Sequence, residues 1–221
     1  MYFLLLLIFL LSPVSISALE SQSSTTITAS IGENRVTIYG YTSPNSRVEL
    51  SNSQVFAVTY SNDTGYFVFE KTLLPKVDLL DLCLTSFDNN SRQTTPVCFP
   101  APPQTNYQTD IGPVLLPPTI SLEESNIDPN STVVTSGQAI PNSEVSLSFY
   151  KVNDSGQSFV KAAQAYSLPS VTAITDEFGN FSLNLPTAYS SNYRLYASTK
   201  FDNNYSPKSN TLIYILPSLF Y

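Results

Sequence analysis

The sequence repeats itself, and this repeat constrains the fold more than any other feature. "GYTSPNSRVELS" begins at Gly40, and "GQAIPNSEVSLS" begins at Gly137. Farther along, "SNDTGYFVF" contains Gly65, and "TDEFGNFSL" contains Gly179 at the equivalent position. A chain that carries the same motifs twice in the same order is expected to contain two copies of one structural unit. The second copy is longer because it carries a 17-residue insertion, "YKVNDSGQSFVKAAQAY".

A third shared motif, Phe-Asp-Asn-Asn, occupies residues 87–90 and 201–204, at the same interval as the two glycine turns. Its oxygen-rich side chains suit a metal loop, a carbohydrate-binding tip or an ordinary turn. Asp and Asn tolerate tight and left-handed backbone geometry. Because the motif recurs with the repeat, we interpret Asp88 and Asp202 as turn residues between the last two strands of each copy.

Each copy consists of short alternating segments separated by turn signals. Apolar residues alternate in "RVTIYGYT" and "SRVELS", which is the periodicity of a strand with one buried face. Pro-Asn-Ser predicts a turn, and Gly65 and Gly179 are expected to take positive φ angles in the next one. Regularly spaced short strands without a helical period predict an all-β protein built from two tandem β-sandwiches.

The chain divides into four predicted regions. An apolar run at residues 2–11 is too short to span a bilayer and precedes small residues, which indicates a signal peptide at 1–18. A buried strand is the alternative for this run. The two sandwiches are predicted at 24–100 and 119–217. The proline-rich segment 101–118 between them is expected to be a semi-rigid, partly docked linker.

The two cysteines, Cys83 and Cys98, lie on either side of the first Phe-Asp-Asn-Asn turn. If residues 87–92 form the bend, the two side chains fall nearly opposite each other on neighbouring strands. We therefore predict a disulfide, which an exported protein would form and keep. Two buried free thiols are the alternative. Two thiols alone are too few for a zinc site.

Charge and composition exclude several functions. The net charge of −7 argues against nucleic acid or anionic lipid as a partner, because both need a basic surface. The chain has no His, so that His-dependent catalytic triads and His-zinc sites are excluded. We expect no cofactor, and we expect membrane contact only through the signal segment or an anchor downstream of this sequence.

Four oxygen-bearing residues in the glycine turns are weak candidates for calcium: Asn62, Asp63, Asp176 and Glu177. Calcium takes six or more oxygen ligands from converging segments, whereas each turn offers one or two carboxylates. Ordinary turn chemistry explains the same residues without an ion. We therefore predict no metal site.

No enzymatic activity is expected. The nearest carboxylate pairs in sequence are Asp78 with Asp81 and Glu123 with Glu124, and two small sandwiches suggest no deep cleft to hold them. The tyrosines of the second copy suit either a binding face or the core, and we favour the core. The insertion is the better candidate for binding, because binding usually diversifies in loops. These tyrosines are Tyr189, Tyr193, Tyr196, Tyr205 and Tyr214.

The shared pattern of Gly, Pro-Asn-Ser, an alternating strand and Asp/Asn-x-x-Gly-x-Phe resembles tandem bacterial Ig-like surface domains. The resemblance extends to the paired repeats of exported proteins from candidate-phylum bacteria, which a "GPVLLPPTISL"-type linker joins. It implies a non-catalytic structural or adhesive module at the cell surface, with an unknown surface protein or glycan as partner. A calcium-rigidified module, or accessory carbohydrate-binding domains of a larger surface protein or enzyme, are the alternatives.

Overall fold

The computed structural model describes residues 33–75, 81–104, 108–123, 133–152, 170–185 and 191–216. These residues form fifteen strands, and no helix among them is long and apolar enough to cross a membrane. The predicted signal segment at 1–18 and residues 153–166 of the insertion lie outside the described residues.

The first repeat forms two antiparallel-rich sheets that enclose one core. One sheet has the order β4-β1-β7 and the other β3-β2-β5-β6. The strands are β1 (Arg35–Tyr41), β2 (Arg47–Ser51), β3 (Phe56–Tyr60), β4 (Tyr66–Leu73), β5 (Leu82–Phe87), β6 (Val97–Phe99) and β7 (Gln108–Leu115).

The second repeat has the same plan. One sheet has the order β12-β9-β8, and the other runs β11-β10-β13, with β14 and β15 both paired to β13. Two Ig-like sandwiches in tandem confirm the predicted fold class. The strands are β8 (Thr119–Leu122), β9 (Val133–Gln138), β10 (Glu144–Val152), β11 (Val171–Ile174), β12 (Asn180–Leu185), β13 (Ser191–Phe201), β14 (Asn204–Tyr205) and β15 (Leu212–Leu216).

Alternation along the strands builds the two cores. Val36 and Ile38 of β1 and Leu50 of β2 are fully buried, while their neighbours along the strand are partly exposed. Val145 and Leu147 of β10 are fully buried in the second repeat. Burying an aliphatic side chain of this size contributes about 1.5–3 kcal/mol, so these positions supply much of the stability of each sandwich.

Part of the predicted linker is a strand. Within 101–118, residues Gln108–Leu115 form β7, which pairs in parallel with β1 at the edge of the first repeat. Pro113 is compatible with this place because an edge strand does not need every N–H for pairing. The proline content of the segment therefore does not prevent it from joining the sheet.

Gly40 and Gly137 occupy equivalent places where an edge strand approaches closely. A Cβ atom on Gly40 would lie 2.0 Å from the carbonyl oxygen of Val114 in β7. A Cβ atom on Gly137 would lie 2.0 Å from the carbonyl oxygen of Thr119 in β8. Any other residue would push the edge strand away, which explains the glycine that opens the first shared motif.

The predicted disulfide is confirmed. Cys83 on β5 and Cys98 on β6 are directly paired across the sheet, and their sulfur atoms are bonded. The bond crosslinks β5 and β6 of the first repeat around the turn at 87–92, and β7 follows them as the last strand of that repeat.

Candidate functional site

The two glycine turns are held by hydrogen bonds within each turn. Asn62 Oδ1 accepts a hydrogen bond from the Thr64 backbone N–H at 3.0 Å. Asp176 Oδ1 accepts from the backbone N–H groups of Phe178 at 2.9 Å and Asn180 at 2.7 Å. Partial desolvation acts to raise the pKa of Asp176, but the hydrogen bonds from Asn180 and Phe178 bring it below its ordinary value.

The other two calcium candidates also lie in these turns. Asp63 Oδ1 accepts a hydrogen bond from Asn45 Nδ2 at 3.0 Å, and Glu177 is exposed. Within the described ranges, no three His, Cys, Asp or Glu side chains converge on a point that could hold an ion. The calcium alternative stays a prediction that only a binding measurement can test.

The first Phe-Asp-Asn-Asn turn connects the two repeats through Asp88. Its carboxylate accepts hydrogen bonds from the backbone N–H groups of Asn90 at 2.8 Å and Arg92 at 2.9 Å, and from Arg92 Nε at 2.6 Å. The hydroxyl of Thr119, in β8 of the second repeat, donates to the same carboxylate. Arg92 Nη1 then donates to Ser121 Oγ of β8 at 3.1 Å. The buried Asp88 side chain therefore stabilises its own turn and the contact between repeats.

The second Phe-Asp-Asn-Asn turn is built differently. Asp202 and Asn203 have φ angles of 46° and 63°, which is the left-handed geometry expected for Asp and Asn in a tight turn. The carboxylate of Asp202 is exposed and accepts no hydrogen bond from any described residue. No basic side chain among the described residues pairs with Asp202, so the second turn lacks an ion pair like that of Arg92 with Asp88. The same tetrapeptide thus provides a buried structural carboxylate in the first repeat and an exposed carboxylate in the second.

The repeats contact each other through equivalent surfaces. Pro44 of the first repeat packs against Gly179 of the second, where a Cβ atom would lie 2.6 Å from Pro44 Cδ. Pro141, the equivalent of Pro44, lies 3.3 Å from the position of a Cβ on Gly65, the equivalent of Gly179. Such reciprocal contacts define an interface with approximate two-fold symmetry, which we call the junction.

A second pair of reciprocal contacts distinguishes the two halves of the junction. In one half, the Asn89 backbone N–H donates to Gln138 Oε1 at 3.3 Å. In the other, Phe201 packs on Tyr41, the equivalent of Gln138, with ring centroids 4.7 Å apart. We call the half around Asp88 and Gln138 the closed half, because polar side chains fill it, and the half around Tyr41 and Phe201 the open half.

The open half contains a cleft of about 460 Å³ between the repeats. The repeat pattern does not predict this cleft. Neither sandwich forms the cleft alone, because its walls come from β7 of the first repeat and the β13–β14 turn of the second, so patterns within one repeat could not reveal it. The lining residues include Tyr41, Pro113, Phe201, Asp202, Asn204 and Tyr205.

The tyrosines of the second repeat divide between core and surface. Tyr193 and Tyr214 are buried and stack with centroids 5.0 Å apart, which agrees with the core interpretation. Burial raises the pKa of Tyr214, and the neighbouring Tyr193 raises it further. Tyr205, in contrast, is 65% exposed at the cleft. Tyr189 lies outside the described residues.

Sequence reasoning missed Tyr41 and Phe201 as cleft residues. These residues could have been identified from a position at which the two repeats differ, rather than from the motifs that they share. Tyr41 stands where the second repeat has Gln138. This difference falls on the junction, where Gln138 makes a polar contact in one half and Tyr41 a ring contact in the other.

No protein-family model matches the sequence, and no curated protein matches it either. Several solved structures are similar at low identity. One contains four tandem repeats from the extending region of a large adhesion protein, at 14% identity and a TM-score of 0.34. The match covers 81% of this chain and 49% of that one, so this chain spans about half its length.

Two further structures show the same level of similarity. The chicken interferon gamma receptor alpha chain is 10% identical with a TM-score of 0.35, and the match covers 88% of this chain and all of that one, 100%. The BSP domain of a biofilm-associated protein is 13% identical with a TM-score of 0.30, and the match covers 86% of this chain and 29% of that one. Similarities this distant do not transfer a function, and the fold assignment depends on the strands and sheets described above.

Proposed function

We propose that this chain is an exported, non-catalytic surface module in which two Ig-like sandwiches act as one rigid unit and present a binding surface. The junction is the observation that carries the proposal. Reciprocal contacts at Pro44 and Pro141 and the buried Asp88 bonds fix the second sandwich against the first. A rigid pair can hold a binding site at a set distance and orientation, which a flexible string of domains cannot do.

The short connection between the repeats supports a fixed orientation. Three residues, 116–118, separate β7 from β8, and Leu116, Pro117 and Pro118 are all buried. Proline restricts the backbone, and burial removes the freedom that an exposed linker would have. We propose sandwiches at 24–100 and 119–217 with a connector between them. Strand β7 of the connector joins the sheet of the first sandwich by pairing with β1.

The disulfide supports export. Disulfides persist in oxidising compartments and are rare in reducing ones, so the bond between Cys83 and Cys98 fits a protein that works outside the cytoplasm. The acidic net charge and the small share of charged residues, 12%, suit a hydrophilic exterior with few ion pairs. The signal segment at 1–18 and the cell surface as destination belong to the same proposal.

Thiol trapping on intact producing cells tests the proposal. We expect Cys83 and Cys98 to resist alkylation until a reductant is added, and the protein to be degraded by a protease that cannot enter the cell. A cytoplasmic protein would instead show free thiols and full protection from the protease. Either of those two results would contradict export.

A further inference from the structure

The cleft of the open half has the size and composition of a small-ligand site. Its volume of about 460 Å³ lies within the range of roughly 300–1,000 Å³ that ligand pockets usually have. Such pockets combine a mainly apolar lining with a few polar groups that orient the ligand. Here the rings of Tyr41, Phe201 and Tyr205 form the apolar part, and Asp202 and Asn204 supply the polar groups.

The aromatic residues offer flat surfaces at two depths. Tyr41 and Phe201 are half-buried and contact each other, with ring planes inclined at 45°. Tyr205 is 65% exposed, and the ammonium group of Lys200 lies 5.9 Å from its ring centroid. A flat aromatic face left open to solvent is suited to packing against a flat, partly apolar ligand, such as the C–H face of a sugar ring.

The polar groups lie on one turn and complement hydroxyl groups. The Asp202 carboxylate only accepts hydrogen bonds, whereas the Asn204 amide both donates and accepts. Asn204 Nδ2 donates to the Asp202 carbonyl oxygen at 3.2 Å. The side-chain amide oxygen of Asn204 accepts no hydrogen bond from the described residues. Neighbouring hydroxyl groups on a sugar each donate and accept hydrogen bonds. Asp202 and Asn204 lie close enough in sequence to bind two such hydroxyl groups. A peptide instead presents its polar groups at intervals along a strand.

The charges at the cleft favour a neutral ligand. The lining contains one carboxylate, Asp202, and no Lys or Arg, while the ammonium group of Lys200 lies 5.9 Å from the ring of Tyr205. Charged ligands concentrate where one sign of charge dominates, and neither sign dominates here.

We infer that the open half of the junction is a binding site for a neutral oligosaccharide, with Tyr205 stacking on a sugar ring and Asp202 and Asn204 binding its hydroxyls. The inference rests on the proposed function, because it names the ligand class that the surface module binds. The first repeat gives an internal comparison. Its equivalent carboxylate, Asp88, is buried and saturated by Arg92 and Thr119, so the same motif cannot bind a ligand there.

Titration of the purified full-length chain with four neutral hexasaccharides tests the inference. The probes are maltohexaose, cellohexaose, xylohexaose and chitohexaose, with binding followed by calorimetry and saturation-transfer NMR. We expect at least one to bind with a dissociation constant on the order of 1 mM or tighter. Tyr205→Ala and Asp202→Ala should each weaken that binding about tenfold or more, the loss expected when a stacking ring or a charged hydrogen-bond partner is removed.

Tyr60→Ala is the matched control, because Tyr60 is 66% exposed and lies on β3, away from the cleft. It should leave binding unchanged. Failure of all four sugars, binding that the cleft variants do not weaken, or binding of a proline-rich decapeptide at the cleft in their place would each overturn the inference. None of these results changes the outcome of thiol trapping or of protease digestion on intact cells. The proposed export is therefore tested independently of sugar binding.

Discussion

Asp88 and Asp202 have the same neighbours in sequence and opposite environments in the fold. Asp88 is 5% exposed and accepts hydrogen bonds from Asn90, Arg92 and Thr119. Asp202 is exposed at the cleft in the left-handed region of the backbone. The difference arises because Arg92 pairs with the buried Asp88, whereas no basic side chain among the described residues pairs with Asp202.

Replacing Asp88 with Asn should lower the free energy of unfolding by about 2–4 kcal/mol, because the new amide group would face the donors of Arg92 and Thr119 and leave Arg92 without its partner. The equivalent change, Asp202→Asn, should cost less than about 0.5 kcal/mol. Urea denaturation of the two variants beside the wild type measures both effects. Equal losses would show that the buried carboxylate has no special role.

At the scale of elements, the strands of each sandwich could be predicted from alternation, and the turns from Gly, Pro and Asn. β7 could not, because Pro113 and the surrounding prolines are typical of a linker and nothing local shows that β1 has an open edge beside it. The disulfide was predictable because the turn between Cys83 and Cys98 was recognisable. The cleft was not, because it depends on how two correctly predicted units meet.

The disulfide should stabilise the first repeat more than the second. Replacing both Cys83 and Cys98 with Ser should lower the unfolding free energy by about 3 kcal/mol, the value expected in the chain-entropy model for a crosslink between residues 15 apart. Chemical denaturation followed by NMR signals from each repeat would separate the two. The change should appear in the signals of β5 and β6 first. A variant as stable as the wild type under oxidising conditions would contradict this expectation.

The whole molecule is organised by its junction. The closed half contributes hydrogen bonds and an ion pair, the glycine turns let Pro44 and Pro141 pack closely, and Thr95 Oγ1 donates to Asn210 Oδ1 at 2.9 Å to add a further contact between repeats. These contacts, with three buried residues as the connection, predict one fixed arrangement in solution rather than two independent domains.

Small-angle scattering tests this arrangement. The wild type should fit a single conformation, whereas the double variant Asp88→Ala/Arg92→Ala should show a larger maximum dimension, because it loses the ion pair and the bonds to β8. Asp202→Ala changes the same motif in the other repeat, at an exposed carboxylate, and should leave the profile unchanged. Identical profiles for all three proteins would mean that the closed half does not hold the repeats together.

The approximate symmetry of the junction has a consequence for how this protein can evolve. After a gene duplication, the two halves of such an interface begin as equals, and each is redundant while the other persists. Here Asp88 and Arg92 hold the repeats in place, so substitutions at the exposed Tyr205 should carry little folding penalty. The ligand preference that we infer for the cleft can therefore change at this position while the architecture around it stays constant.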